Sequence, residues 1–235
     1  MTNNLEALRS KKLFVLDMDG TFYLGDKLID GSLDFIEKLK AKNRGFLFFT
    51  NNSSKNSKFY KKKLANMGCF VEEQTIVTSG DVTIKYLKEN YPDAGVYLVG
   101  TEMLVESFKS NGIRLTENNP DIVVFGFDTT LTYEKVSKAC TYIRNGALFL
   151  ATHIDYNCPT EDGFIPDCGS MCAMVESSTG KKPKFLGKPF RETVDMIKLI
   201  TGMGDDELAF VGDRLYTDIA VGVRNGITGI LVLTG

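Results

Sequence analysis

A chain of 235 residues with 43% hydrophobic and 25% charged content can bury a substantial core, in one large domain or two small ones. Its 28 Lys and Arg against 30 Asp and Glu give a formal net charge of −2, which argues against a nucleic-acid partner and leaves room only for a local basic site. No apolar run approaches the ~18 residues needed to span a bilayer, and the opening MTNNLEALRSKK lacks an apolar signal core, so the expected location is the cytoplasm, with no membrane partner.

The first apolar run, Leu13-Phe14-Val15-Leu16, reads as a strand and leads directly into Asp17-Met18-Asp19-Gly20-Thr21. Residues 22–24 and 28–29 flank Gly25-Asp26, the pattern of a small hairpin. A second strand, Phe46-Leu47-Phe48-Phe49, runs into Thr50-Asn51-Asn52-Ser53-Ser54. Phe59 or Tyr60, Leu64 and Met67 then fall on one helical face, with Gly68 as the cap. Strands follow at residues 96–99, 122–127 and 148–151. Phe185-Leu186 precedes Gly187-Lys188-Pro189, and Leu208-Ala209-Phe210-Val211 precedes Gly212-Asp213-Arg214. A helix over 218–225 ending at Gly226, and a strand at 230–233, complete the chain. Short apolar runs alternating with amphipathic stretches predict parallel strands joined by crossover helices, so the fold class is α/β.

Five cysteines, Cys69, Cys140, Cys158, Cys168 and Cys172, form an odd set without a CxxC pair, which argues against a disulfide framework or a zinc ribbon and for reduced, structural thiols.

In open α/β sheets ligands sit beyond the carboxyl ends of the strands, and four such ends carry complementary chemistry. Taken singly, an Asp or Lys after a strand is most often a helix cap or a solvated turn residue. Together the four fit phosphoryl transfer, which needs an in-line nucleophile, a cation to offset charge, donors for the equatorial oxygens and an acid for the leaving group. Asp17 is the candidate nucleophile and Asp19 the candidate acid and base. Thr50, its neighbour Asn51, and Lys188 are candidates to hold the phosphoryl group. Asp17, Asp19 and Asp213 offer hard oxygen ligands, for which Mg²⁺ is the natural ion.

DMDGT, TNNSS, GKP and GDRLYTD, in this order, resemble the four motifs of the haloacid-dehalogenase-like hydrolase superfamily. The large insertion between TNNSS and GKP resembles its class IIA capped phosphatases, the nitrophenyl-phosphatase and pyridoxal-phosphate-phosphatase group. The resemblance implies a Rossmann-like parallel-sheet core, residues 1–80 and 182–235, with an inserted α/β cap at 81–181. It implies an aspartyl-phosphate on Asp17, Mg²⁺ held by Asp213 and the Asp19 carbonyl, and Asp218 as a carboxylate steadying the lysine or the metal's waters. Relatives continue past Thr234 with a further strand and helix, so the core is expected to show an open strand edge here, and a homodimer is the family-level expectation.

Within the insertion, the polar, turn-rich run from His153 to Ser170 resembles the family's substrate-facing loop, which makes His153, Asp155 and Asn157 the expected readers of the leaving group. The expected activity is hydrolysis of small-molecule phosphate monoesters. A phosphomutase using the same aspartates and a non-catalytic phosphate-binding protein stay open alternatives.

Overall fold

The computed structural model describes residues 8–160 and 163–234. Residues 1–7, which belong to the segment read as lacking a signal core, and Gly235 lie outside it. No helix among the described residues is long and apolar enough to cross a membrane.

The chain divides into two compact units. One holds residues up to Thr50, Ser57–Val77 and the residues from Lys188 onward; the other holds Asn51–Asn56 and Thr78–Gly187. The first is built on a five-stranded sheet. In chain order its strands are β1 (Leu13–Leu16), β4 (Gly45–Thr50), β5 (Ile76–Thr78), β12 (Leu208–Gly212) and β13 (Thr228–Leu231), with β2 (Tyr23–Leu24) and β3 (Lys27–Leu28) forming a separate antiparallel hairpin. The sheet order is β13-β12-β1-β4-β5, and the pairings of β1 with β12 and β4, and of β12 with β13, are parallel.

Every residue of β1 and of β12 is buried, as expected of central strands covered on both faces. Phe14, Leu16, Phe48 and Val211 pack there with Ile36 and Leu39 of the helix Ser32–Ala41 and with Tyr60 and Leu64 of the helix Ser57–Asn66. β13 is an edge strand, and Leu231 within it and Leu233 after it are exposed.

The second unit has its own sheet and core. β6 (Val96–Val99), β7 (Ile122–Phe125), β8 (Leu148–Ala151) and β11 (Lys184–Phe185) pair in parallel in the order β11-β8-β7-β6, and β9 (Asn157–Thr160) with β10 (Gly163–Pro166) forms an antiparallel ribbon. Its helices start where an oxygen-bearing side chain can satisfy a free N–H: Thr78 before Ser79–Asn90, Thr101 before Glu102–Ser110, Thr132 before Tyr133–Arg144 and Asp167 before Cys168–Thr179.

The second unit takes in residues 51–56 and 78–80, which the sequence reading set in the core, and further assignments differ as well. The last strand begins two residues earlier than expected, because Thr228 and Gly229 join the ladder with Ala209 and Phe210. The strand before Lys188 pairs with β8 and so belongs to the second unit's sheet, whereas the sequence reading set residues 182–187 in the catalytic core. A two-residue strand carries no periodicity that could say which sheet it joins.

Candidate active site

Asp17 is the first residue beyond β1, and its N–H continues the ladder by donating to Val211 O at 2.9 Å. Met18 then turns into the core at 0% exposure, and its carbonyl accepts from the N–H groups of Phe22 (2.9 Å) and Tyr23 (3.1 Å). This tight turn leaves the two aspartates that flank Met18 partly exposed. The β2–β3 hairpin follows at once, and the Gly25 N–H at its tip bonds to Asp19, which gives the hairpin a local purpose.

Lys188 is the hub of the site. The residue is 2% exposed, and its Nζ donates to Asp17 Oδ1 and to Asp218 Oδ1, each at 2.5 Å, and to Phe49 O at 3.4 Å. The ammonium also lies 5.4 Å from the centroid of the Phe49 ring, a cation–π contact. Burial alone would make the ammonium easier to deprotonate, but Asp17 and Asp218 outweigh it and hold Lys188 well above its ordinary range. It is therefore a fixed positive charge.

Asp218 is 1% exposed, and its other oxygen, Oδ2, accepts from Arg214 N at 3.1 Å. The turn after β12 thus grips the residue that braces Lys188. Asp213 sits in the same turn, and its Oδ1 accepts from Thr21 Oγ1 at 2.9 Å. Gly20 has φ +87°, and a Cβ there would lie 2.8 Å from Asp213 Oδ2, so only glycine brings the two turns this close.

Asp17, Asp213 and Asp218 bring one carboxylate oxygen each within 4.8 Å of one another, the one such acidic cluster among the described residues. Two of the three, Asp17 and Asp218, share the Lys188 ammonium. Burial raises the Asp17 pKa to about 7 although Lys188 pulls it down, and the charges of Asp218 and Asp213 push it further up. A hard oxygen set short of positive charge fits a divalent cation. Both Asp218 oxygens already accept hydrogen bonds, which marks Asp17 and Asp213 as the better-placed ligands. The side chain of Asp19, expected as a ligand, is not among the three. Burial raises its pKa, while Lys63 and Arg214 lower it.

Thr50 closes β4 at 6% exposure, and its strand neighbours β1. The next residue, Asn51, is counted with the second unit, where its Nδ2 donates to Asp155 Oδ2 at 2.8 Å. Asp155 and His153 are 2% and 0% exposed. His153 Nε2 lies 2.9 Å from Asp167 Oδ1 and its Nδ1 lies 2.9 Å from Thr152 Oγ1. Neither faces solvent, so the expectation that these two read a leaving group is not supported by their placement. Burial of polar groups through partners distant in sequence leaves no mark in a local pattern. Asn157, by contrast, is exposed at the start of β9.

Sequence reasoning missed three supports: Thr21, Gly25 and Gly187. Thr21 and Gly187 were inside the DMDGT and GKP motifs and Gly25 in the expected hairpin turn, which were the signals available.

The haloacid dehalogenase-like hydrolase family matches residues 14–114, and the HAD-hydrolase-like family matches residues 185–235. The chain belongs to the haloacid dehalogenase-like hydrolases. It is 38% identical to the acid sugar phosphatase of Staphylococcus aureus over 97% of this chain and 88% of that protein. Among solved structures it is similar to a 4-nitrophenylphosphatase from Thermotoga maritima, with a TM-score of 0.95, 49% identity, and coverage of 97% of this chain and 88% of that one. It is also similar to a glycerol phosphate phosphatase from Mycobacterium tuberculosis in complex with calcium, with a TM-score of 0.89, 30% identity, and coverage of 97% and 68%. Within the superfamily the chain therefore falls with the class IIA nitrophenylphosphatase-like members, and it is a phosphoric monoester hydrolase.

Proposed function

We propose that the chain hydrolyses phosphate monoesters of small metabolites through an aspartyl-phosphate on Asp17, with Asp19 as general acid and then base. The observation that carries this reading is the Asp17 carboxylate held 2.5 Å from a buried Lys188 at the carboxyl end of a central parallel strand. Lys188 orients the attacking carboxylate and offsets charge on the phosphoryl oxygens, and Asp218 keeps the ammonium in place. The Thr50 hydroxyl is a further donor to that group, with Asn51 fixing the loop that follows it.

Asp17 and Asp213 are the side chains that would hold the cation, with the Asp19 carbonyl, and Mg²⁺ is the proposed ion. When bound, it supplies the Lewis acidity and the charge that a phosphate dianion needs to approach three carboxylates. Asp19 is linked to the Gly25 N–H and sits near Lys63 and Arg214, an environment in which one carboxyl can both give and take a proton.

The three relatives named above act, by their names, on different phosphate esters, so substrate choice is assigned to residues outside the core turns. In the segment expected to make that choice, Tyr156, Asn157, Phe164 and Ile165 are exposed whereas His153 and Asp155 are not. We assign substrate reading to the exposed set. The proposed location is the cytoplasm.

Orthophosphate release from a panel of sugar, nucleoside and nitrophenyl phosphates, with magnesium and again after chelation, tests the assignment. Release that needs the metal and disappears in Asp17→Asn supports it. Transfer to a second substrate position without free phosphate would instead make the chain a mutase.

A further inference from the structure

The chain passes between its two units at three places: Thr50–Asn51, Val77–Thr78 and Gly187–Lys188, besides the return at Asn56–Ser57. Two of these places adjoin residues assigned above to the phosphoryl group, Thr50 and Lys188. Within the second unit, Gly187 and Ser79 both touch Asn51. A Cβ on Gly187 would lie 2.6 Å from Asn51 Oδ1 and 2.7 Å from Thr152 O, so Gly187 is pressed against Asn51. Gly187 N also donates to Thr152 O at 2.7 Å. Ser79, which follows Thr78, donates from Oγ to Asn51 O at 2.5 Å.

The Asn51 side chain is held by a buried carboxylate. Asn51 Nδ2 donates to Asp155 Oδ2 at 2.8 Å, inside a pocket where Asn51 is 7% and Asp155 2% exposed. The rest of the loop is anchored alongside: Ser53 Oγ pairs with Thr152 Oγ1 at 2.9 Å and accepts from Phe127 N at 2.8 Å, and Thr101 Oγ1 donates to Ser54 O at 2.8 Å. A buried charge-assisted bond between a carboxylate and an amide is both strong and directional.

We propose that Asp155 is a positioning residue for phosphate binding: by fixing Asn51 against Gly187 it sets the relative placement of the Thr50 hydroxyl and the Lys188 ammonium. The proposal rests on the reading of Thr50 and Lys188 as phosphate holders. Asp155 acts through Asn51 and touches no substrate. Its loss therefore weakens the grip on the phosphoryl group, which every substrate shares, and leaves the order of preference among leaving groups alone.

The test compares Asp155→Leu, Asp155→Asn, Asn51→Ala and the double variant Asn51→Ala with Asp155→Leu, all with magnesium supplied. The measurements are Ki for orthophosphate, kcat and KM for nitrophenyl, glycerol and acetyl phosphates, and Tm. Asp155→Leu is expected to raise Ki for orthophosphate about tenfold, the effect of losing ~1.4 kcal/mol of placement, and to lower kcat/KM by one common factor across the three substrates. Asp155→Asn, whose amide oxygen still accepts from Asn51, is expected to lose less, and the double variant to be no worse than Asp155→Leu. An unchanged orthophosphate Ki in folded Asp155→Leu, losses that reorder the substrates, or additive losses in the double variant overturn the proposal. If Asp155→Leu does not fold, Asn51→Ala carries the test, and an unchanged Ki there overturns it equally. An unchanged orthophosphate Ki in Lys188→Ala would overturn the underlying assignment of the phosphate holders instead, which separates the two failures.

Discussion

The backbone of Gly212 runs so close to Asp218 that a Cβ on it would overlap the Asp218 carboxyl carbon. β12 therefore ends in a residue with no side chain so that the carboxylate bracing Lys188 can lie flat against it. Gly212→Ala is expected to push Asp218 off Lys188, with a stability cost of ~1–3 kcal/mol and a larger proportional loss of kcat than the stability change alone would give. Steady-state kinetics below the variant's melting transition check this. An active Gly212→Ala enzyme with normal kcat would show that the contact has no catalytic consequence.

Removing Lys188 leaves Asp17 and Asp218 buried without their shared ammonium. Lys188→Met is expected to be destabilised by ~3–5 kcal/mol when metal-free, as for a broken buried ion pair. Magnesium should restore part of that loss without restoring turnover, since the cation supplies charge but cannot reproduce the donor to Asp17. Denaturant melts with and without the ion, beside a rate measurement, distinguish the two effects.

Chelation should make stability depend on pH in a way fixed by Asp17. Its folded pKa is raised to about 7, so in the metal-free protein the contribution of the protonated form is complete below the ordinary carboxylate range near pH 4 and is lost as pH rises through about 7. A cation favours the carboxylate and competes with the proton. The stability gained on adding magnesium should therefore be larger at pH 8 than at pH 5, reaching about 2.7 kcal/mol when the ion is at a hundred times its Kd. Equal gains at both values would detach the ion from Asp17.

How much of this was legible beforehand varies by residue. β1, β6 and β8 were placed at their true bounds because apolar runs of four bounded by polar turns carry a clear signal. DMDGT and GDRLYTD announced Asp17 and Asp213 for the same reason: a carboxylate directly after a buried strand stands out. β5 went unread, being three residues long, and the ribbon of β9 and β10 was read as loop because Pro159, Gly163 and Pro166 masked it. His153 and Asp155 were read as facing the substrate because nothing local to them reveals Asp167, Thr152 or Asn51 as partners.

His153 illustrates the consequence. Burial lowers its pKa, but Asp167 and its other neighbours more than compensate, and the imidazole is raised to about 9. The stability it contributes is complete below its unfolded value near 6.5 and is lost as pH rises through about 9. His153→Leu is expected to cost ~3–5 kcal/mol at pH 6, since Asp167 keeps a buried charge, and to flatten the fall in stability between pH 7 and 9.5. Urea titrations at three pH values would show it, and an unchanged slope would mean the ring is neutral in the native protein.

The nucleophile itself can be read directly. Asp19→Asn, which lacks the base for the second step, is mixed with nitrophenyl phosphate and magnesium, quenched with borohydride during turnover, and the peptide containing residue 17 is examined by mass spectrometry. An acyl phosphate is reduced to an alcohol, so the account predicts homoserine at position 17 in the quenched sample and none without substrate. Homoserine at another aspartate, or a phosphoryl group found only on a serine, threonine or histidine, would contradict it.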